Sequence, residues 1–133
     1  MKALPLLLLT CLLSLSAAAQ HSLTVTFSGL ESRKGDVLFS LRDENGEPVK
    51  EIIVPIPNSG VVKYTVSNLP SGTYTAACFH DENQNKELDK GMFGIPTEIY
   101  GFSNNARGTM GPPDLEDQRF TIAGDVTMDI RLE

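Results

Sequence analysis

Apolar and polar side chains alternate along short stretches of this chain, first at Leu23, Val25 and Phe27. Because successive side chains of a strand point to opposite faces, this period of two predicts a strand with one buried face. The same alternation returns over residues 37–41, 62–66, 120–122 and 126–132, and the largely apolar run of residues 74–79 is also strand-like. No stretch shows a convincing helical period of 3.6 residues, so the pattern predicts strands almost throughout.

Turn-forming residues set the connections between these strands. Asn45 and Gly46 stand between two strand-like stretches and predict a tight hairpin turn. Residues 49–56 are also strand-like, but Pro55 and Pro57 each lack a backbone N–H donor. Since a missing donor is harmless at the edge of a sheet, we place this strand at an edge.

The number and spacing of the stretches predict the fold class. About seven short strands separated by turn signals are typical of an all-β protein, an antiparallel β-sandwich. Two facing sheets would bury the alternating apolar positions between them. The predicted core consists of Leu23, Val25, Phe27, Val37, Phe39, Leu41, Val62, Tyr64, Tyr74, Phe79, Phe120, Ile122, Met128 and Ile130.

A long loop insertion, residues 81–118, precedes the last two predicted strands. Its glycines and prolines exclude a long regular element, and connections of this length in compact domains are usually functional or disordered. Its apolar side chains favour an ordered connection, because they are costly to leave in water. They are Phe93, Ile95, Ile99, Tyr100 and Phe102.

The N-terminal segment has the pattern of a secretory signal peptide. Lys2 gives a positive start, residues 4–15 are largely apolar, and residues 17–19 are three alanines typical of a cleavage site. The apolar run is shorter than the roughly 20 residues of a membrane-spanning helix. We therefore expect residues 1–19 to be removed and residues 20–133 to form one domain, exported to the periplasm or the cell exterior without stable membrane insertion.

Charge and cysteine content narrow the classes of partner. The chain has 11 basic and 17 acidic residues, a net charge of −6 and no basic cluster. Nucleic acids and anionic membrane surfaces are therefore poor partners, which leaves an unidentified protein or another envelope component. After removal of the signal, Cys78 is the sole cysteine, so we expect no internal disulfide and a buried, unreactive thiol.

Oxygen-bearing side chains recur at a regular spacing in residues 81–89, immediately after the fifth predicted strand. The residues at relative positions 1, 3, 5 and 9 are Asp81, Asn83, Asn85 and Asp89. Calcium loops use oxygen donors at this spacing and a backbone carbonyl at position 7, which here belongs to Glu87. The spacing predicts a calcium site in this acidic loop.

The end of the acidic loop departs from helix–loop–helix calcium sites. Those sites have a bidentate glutamate at relative position 12, where this chain has Met92. A closing ligand could come from Glu98 or from the later acids Asp114, Glu116 and Asp117, and the sequence does not select among them. The alternative is a solvated turn in which the Asp and Asn side chains cap their own backbone without a metal.

Several motifs together resemble a known family. Leu-Pro-Ser-Gly-Thr-Tyr at 69–74 resembles the entry to a late strand in transthyretin-like and carboxypeptidase-regulatory-like β-sandwiches. With the acidic loop, Phe-Gly-Ile-Pro at 93–96, Tyr-Gly-Phe-Ser-Asn-Asn-Ala at 100–106 and Gly-Pro-Pro at 111–113, nearly the whole chain after residue 19 resembles domain of unknown function 2141, a family of secreted bacterial proteins. The resemblance implies an exported sandwich, transthyretin-like or immunoglobulin-like, and no established activity. The family usually has glycine where Lys86 stands here.

A second candidate surface lies in the middle of the insertion. Its residues are Tyr100, Phe102, Ser103, Asn104 and Asn105. Aromatic side chains mixed with small hydrogen-bonding ones are typical of recognition loops, so we predict a partner surface here. The alternative is that the two aromatic rings simply pack beneath the connection as a small satellite core.

The histidines give no recognisable catalytic constellation. A nucleophile and base would need a histidine beside Ser or Cys, and the chain has only His21, expected at a disordered start, and His80, expected to brace the acidic loop or face outward. Paired carboxylates for glycoside hydrolysis stay open. We therefore predict a non-enzymatic binding or structural module stabilised by calcium. The alternative is a small periplasmic hydrolase or ligand carrier with a pocket beside the acidic loop.

Overall fold

A computed structural model describes residues 20–133, and the predicted signal peptide at residues 1–19 lies outside them. Eight strands form within the described range. They are β1 (Gln20–Ser28), β2 (Asp36–Asp43), β3 (Pro48–Pro55), β4 (Val62–Pro70), β5 (Gly72–Asp81), β6 (Tyr100–Phe102), β7 (Phe120–Ile122) and β8 (Val126–Arg131). One short helix, α1 (Leu115–Gln118), and two 3-10 turns, Met92–Gly94 and Ser103–Asn105, complete the structure.

The strands form two sheets, which confirms the prediction of an all-β sandwich. The smaller sheet has the order β4-β1-β8, and the larger has the order β3-β2-β5-β6, with β7 paired to the first residues of β5. β6 lies inside the insertion and raises the number of strands above the seven expected. No helix of the described part of the chain is long and apolar enough to cross a membrane.

One strand pair runs parallel, although the pattern predicted antiparallel strands. β1 pairs with β8 from Leu23, opposite Val126, to Ser28, opposite Arg131. Strands joined by a tight hairpin must be antiparallel, but β1 and β8 lie at opposite ends of the domain and either direction is open to them. The alternation along each strand therefore predicted which side chains are buried, but not the direction of this pair.

The core lies between the two sheets and follows the alternation of the strands. β1 shows this most clearly, since Leu23, Val25 and Phe27 are buried and the residues between them are half-exposed. Tyr64, Phe120 and Met128 are partly buried and pack against the core rather than inside it. The predicted core residues that are buried are Leu23, Val25, Phe27, Val37, Phe39, Leu41, Val62, Tyr74, Ile122 and Ile130.

Phe79 is the predicted core residue that the structure places elsewhere. In β5 the alternating residues Ala76 and Cys78 face the core, so Ala77 and Phe79 lie on the outer face of the larger sheet. The prediction was wrong because β5 is apolar on both faces. Cys78 is buried as expected, and its burial raises the pKa of the thiol far above its usual range.

The Leu-Pro-Ser-Gly-Thr-Tyr segment makes the turn from β4 to β5. The Tyr74 hydroxyl donates a hydrogen bond of 2.7 Å to the backbone oxygen of Pro70. Desolvation raises the pKa of Tyr74, which keeps the hydroxyl protonated and able to donate. A tyrosine bonded to backbone a few residues upstream is a recurring device of β-sandwich corners. It fixes the path on which β5 runs toward the acidic loop.

β3 forms an edge of the larger sheet, as its prolines predicted. It pairs with β2 alone, and its two ends are Pro48 and Pro55. Ile53 of β3 lies opposite Leu38 of β2 and remains largely exposed. An edge strand with outward apolar side chains therefore borders the outer face of this sheet.

Candidate metal loop and adjoining groove

The acidic loop starts inside the fold. Asp81 is the last residue of β5, pairs with Asp36 of β2 and is completely buried. Gly35, just before β2, has φ +74°, and a Cβ there would overlap the backbone oxygen of Asp81. Only glycine suits this approach, because it tolerates positive φ and has no side chain. The larger sheet therefore fixes the first residue of the loop.

The two oxygens of the Asp81 carboxylate have different environments. Oδ2 accepts a hydrogen bond of 2.8 Å from the backbone N–H of Lys86. Oδ1 is buried and accepts no hydrogen bond from any residue in the range 20–133. A buried carboxylate oxygen without a partner is costly, and native proteins usually supply a water or an ion to such an atom. The Oδ1 atom of Asp81 can therefore accept one further hydrogen bond or bind an ion.

Three of the other predicted donors converge on one another. The side-chain nitrogens of Asn83 and Asn85 each lie 2.6 Å from a different oxygen of the Asp89 carboxylate. Their side-chain oxygens accept hydrogen bonds from the backbone N–H groups of Asn85 and Glu87, at 3.2 and 3.0 Å. A half-turn of each amide would exchange its nitrogen and oxygen and place two amide oxygens beside the carboxylate.

The loop makes its sharp turn at Lys86. This residue has φ +64°, and Gln84 before it has φ +58°. Lys86 holds relative position 6, where calcium loops use glycine for the same bend. A lysine here adopts the left-handed conformation at a cost of roughly 1–2 kcal/mol. The lysine therefore adds strain without removing the bend.

Glu98 joins the two ends of the acidic loop. Its carboxylate accepts hydrogen bonds from the backbone N–H of Glu82, at 3.0 Å, and from that of Asp89, at 2.9 Å. Among the four acids considered for closing the loop, Glu98 is the one with this contact. The other three lie at or within the short helix α1, on the far part of the insertion. The sequence did not distinguish the four acids, because the contact of Glu98 with both ends of the loop depends on how the insertion folds back toward β5.

A small hairpin extends from the loop between Asp89 and Thr97. It is held by backbone bonds from Thr97 N–H to the Asp89 oxygen, at 2.8 Å, and from Gly91 N–H to the Ile95 oxygen, at 2.7 Å. Phe93 and Ile95 were expected to favour order by avoiding water, yet they are 92% and 64% exposed. Backbone hydrogen bonds, rather than apolar burial, order this part of the insertion.

The polar residues of the predicted partner surface bond to the protein itself. Ser103 is buried, and its hydroxyl contacts the backbone N–H of Ala76 and the backbone oxygen of Gln118. Asn104 and Asn105 remain exposed at the surface. The Asn104 amide donates to the backbone oxygens of Asp117 and Arg119, and the Asn105 side-chain oxygen accepts from the N–H of Arg131. These side chains fasten the middle of the insertion to β5, α1 and β8.

The two aromatic residues of that surface lie on the outer face of the larger sheet. In β6, Tyr100 pairs with Phe79 and Phe102 pairs with Ala77. The two rings meet edge to face, with centroids 5.8 Å apart. Arg107 lies over the Tyr100 ring, 5.3 Å from its centroid. The aromatic residues therefore extend an apolar surface that begins on β5.

An open groove of about 600 Å³ lies along this outer face. β2 and β5 form its floor, β3 one wall, and β6 and the later insertion the other, while the acidic loop reaches over one end. Its principal lining residues are Leu38, Ser40, Arg42, Glu51, Ile53, Ala77, Phe79, Lys86, Leu88, Tyr100, Phe102 and Pro112. The sequence predicted a pocket beside the acidic loop only as an alternative and did not assign its lining residues, although the nearly continuous apolar run of residues 37–41 is a signal for a strand with both faces covered.

The charged residues of the groove are two cations and one anion. Arg42 donates from Nε to the Ser40 hydroxyl at 3.0 Å. Within residues 20–133, the basic side chains that lie within ion-pair distance of a carboxylate are those of His80 and Arg107. Arg42, Lys86 and Glu51 therefore line the groove without a salt bridge to one another.

Both histidines are ordered, so the expectation of a disordered start at His21 was wrong. His21 lies in β1, and its Nε2 is 2.9 Å from the Ser71 hydroxyl. His80 is buried, and its Nε2 is 2.6 Å from the backbone oxygen of Lys34. His80 thus braces the start of the acidic loop. The His21–Ser71 pair lines neither the groove nor the small cavity beside His80, and the absence of enzymatic activity stays a prediction.

The donor set of the loop differs from that of transition-metal sites. No three His, Cys, Asp or Glu side chains among the residues described lie close enough together to hold a metal ion. The acidic loop offers two carboxylates, two amides and a backbone carbonyl, which are hard oxygen ligands of the kind that calcium takes. Any metal chemistry here would therefore be that of calcium rather than zinc or copper.

A comparison with protein families gives a match for this chain. A family model described as "Uncharacterized protein conserved in bacteria (DUF2141)" matches residues 25–130. The match includes the acidic loop, the hairpin that follows it and every wall of the groove. A comparison with curated proteins gives no match.

Proposed function

The chain belongs to the bacterial family DUF2141, and on that premise we propose that it is an exported binding or structural module that holds a calcium ion in the loop at residues 81–89. Export to the periplasm or cell exterior, and a transthyretin-like relationship of the sandwich, are part of this proposal. Its partner is a protein or another envelope component.

One observation carries the calcium proposal. Asp81 is completely buried, and its Oδ1 has no partner in the range 20–133. A solvated, self-capping turn satisfies Asn83, Asn85 and Asp89 but leaves this oxygen without a bond. A calcium ion would take Asp81, Asn83, Asn85, the backbone oxygen of Glu87, and Asp89 as ligands once the two amides turn their oxygens inward.

The ion would supply charge compensation and rigidity rather than a reaction. It would replace the Asn-to-Asp89 hydrogen bonds with ligand bonds and hold the loop at the end of the groove. Glu98 would keep its two backbone bonds and hold the ends of the loop together. Affinity of the order of 10⁻⁴ to 10⁻³ M is typical of extracellular calcium modules.

Thermal unfolding with calcium and with a chelator tests this proposal. At a calcium concentration ten times the dissociation constant, we expect about 1.4 kcal/mol of stabilisation, which is a few degrees in Tm. Asp81→Asn should abolish the difference, and so should Asp89→Asn if the first variant does not fold. Glu116→Gln, which removes an exposed acid on α1, should keep it. No shift in the wild type at millimolar calcium would refute the site.

A ligand carrier is the second candidate, and the groove favours it. Its volume of about 600 Å³ lies within the range of small-molecule sites. Lys86 and Leu88 of the acidic loop line one end, so the pocket lies beside the loop. His21 and Ser71 do not line the groove, which favours carriage of a ligand over hydrolysis. Tyr100 and Phe102, predicted as a partner surface, would contact the ligand from the β6 side.

A further inference from the structure

We propose that the groove binds an amphipathic carboxylate, an elongated apolar body of medium acyl-chain length that ends in one carboxylate, with Arg42 as the residue that binds the carboxylate. The inference rests on the carrier function proposed above and names its ligand class.

The apolar body of the ligand follows from the floor and walls of the groove. Leu38, Ala77 and Phe79 form the floor. Ile53 of β3 and Tyr100 of β6 lie at the two ends of the cross-strand row that contains Leu38 and Phe79. These side chains belong to an outer sheet face, where water would otherwise contact them. Burying apolar surface contributes about 25 cal/mol per Å², so an apolar ligand gains affinity here without needing specific polar partners.

The strand register gives the length of the site. Leu38 and Arg42 line the groove from the same face of β2, four residues apart. At about 3.3 Å per residue, they lie roughly 13 Å apart along the strand. A straight, narrow apolar body fits this length and direction better than a compact one. The groove therefore selects an extended molecule that lies along β2 and β5.

Arg42 has the chemistry to bind a carboxylate at the end of that path. It is half-buried, and the Ser40 hydroxyl holds its Nε, which orients the guanidinium. Its terminal nitrogens make no hydrogen bond within the residues of the described domain. A guanidinium presents two parallel N–H groups that match the two oxygens of a carboxylate, and it loses less on desolvation than an ammonium.

The other charged lining residues agree with an anionic ligand. Lys86 adds a second cation at the loop end, and Glu51, on β3 opposite Ser40, is an exposed anion at the rim. Two cations and one anion make the groove locally positive in a chain of net charge −6. Lys86 is exposed and stays hydrated, whereas Arg42 is half-buried beside apolar side chains, where a charge pair is screened less. Arg42 is therefore the stronger anchor.

Calorimetric titration with three probes of equal chain length tests the proposal. Decanoate, 1-decanol and decyltrimethylammonium share the apolar body and differ in the head group. We expect decanoate to bind at least tenfold more tightly than the alcohol and the cation to bind most weakly. Arg42→Gln should remove the tenfold preference and leave the affinity for the alcohol unchanged.

Two further variants separate the apolar and charged contributions. Ala77→Leu would fill the floor of the groove and should weaken decanoate and decanol alike. Lys63→Gln removes a cation from exposed β4, on the other sheet, and should change neither affinity. Equal affinities for decanoate and decanol in the wild type, or an unchanged preference in Arg42→Gln, would overturn the proposal. Tighter binding of the cation would overturn it as well.

Thermal unfolding with calcium, measured beside these titrations, distinguishes failure of this inference from failure of the calcium proposal. If none of the three probes binds the wild type, the carrier function itself fails. Arg42→Gln leaves the acidic loop intact, so its Tm should still rise with calcium. If calcium raises the Tm but decanoate binds no more tightly than decanol, the proposed ligand class is wrong and the calcium site stands. If decanoate binds more tightly than decanol but calcium does not change the Tm, the ligand class stands and the calcium site is wrong.

Discussion

The outer faces of the two sheets differ in chemistry although both sheets cover the same core. On the smaller sheet the outward positions of β1 and β4 include Thr24 and Thr65, whose hydroxyls lie 2.9 Å apart, and Lys63. On the larger sheet the outward positions include Leu38 and Phe79, paired across β2 and β5. A sandwich needs only its inner faces to be apolar. The second apolar face of the larger sheet therefore serves something other than the core.

The insertion follows the same division. It emerges from β5 and returns to pair with β5 through β6, so it adds its aromatic, proline and loop residues to the larger sheet. Within residues 20–133, no strand of the smaller sheet lines the groove. The acidic loop and the groove are thus two parts of one functional side of the molecule.

The largest expected effect is a difference in the loss of stability between substitutions on the two faces of β2. Leu41 is completely buried in the core, whereas Leu38 lines the groove. Leu41→Ala should lower the free energy of unfolding by about 2–5 kcal/mol, since it leaves a cavity. Leu38→Ala should cost much less and should weaken apolar ligands instead. Urea unfolding measures both, and equal losses of stability would show that the outer face is a second core rather than a site.

The next effect tests whether the larger sheet fixes the acidic loop. Gly35→Ala would overlap the Asp81 backbone and hold a positive φ, so we expect a loss of about 2–3 kcal/mol and of any calcium response. Gly94→Ala also has a positive φ, +69°, but has open space around its Cβ. It should cost about 1 kcal/mol and keep the calcium response. Similar losses for both would mean that strain alone, and not contact with the sheet, governs the loop.

The smallest expected effect concerns the thiol of Cys78, on the core-facing side of β5. Burial raises the pKa of Cys78, so the folded protein keeps the thiol protonated while the unfolded chain releases the proton above about pH 8.5. This part of the stability is present below that pH and falls as pH rises, by at most about 1.4 kcal/mol per pH unit. Urea unfolding between pH 8 and 10 should show a shallower decline in Cys78→Ala. Identical slopes would show that the site admits water from the groove side.

Alternation predicted the parts of the fold in which each strand has one polar and one apolar face. β1 is such a strand, and its buried residues were all predicted. β5 is apolar on both faces, so alternation could not assign Phe79, and it could not locate the lining of the pocket that was predicted, as an alternative, beside the acidic loop. Side-chain period specifies two faces, but it does not show that an outward face is covered by residues distant in sequence.

The sequence predicted the donor residues of the acidic loop better than the contacts that surround the loop. The spacing of Asp81, Asn83, Asn85 and Asp89 follows from the chain alone, and the structure brings the last three together. The role of Glu98 and the unpartnered Asp81 oxygen depend on how the insertion returns to the sheet. Local donor spacing is encoded by neighbours in sequence, whereas burial and closure are encoded by long-range packing.

The position of β1 has a consequence for the order in which the protein can fold. β1 precedes the other described strands in the chain, yet it lies in the middle of its sheet, between β4 and β8. One edge of β1 therefore has no strand to pair with until it meets residues 126–131, which are far away in sequence. Long-range pairing of this kind forms slowly, so completion of the smaller sheet is expected to be a slow step in folding.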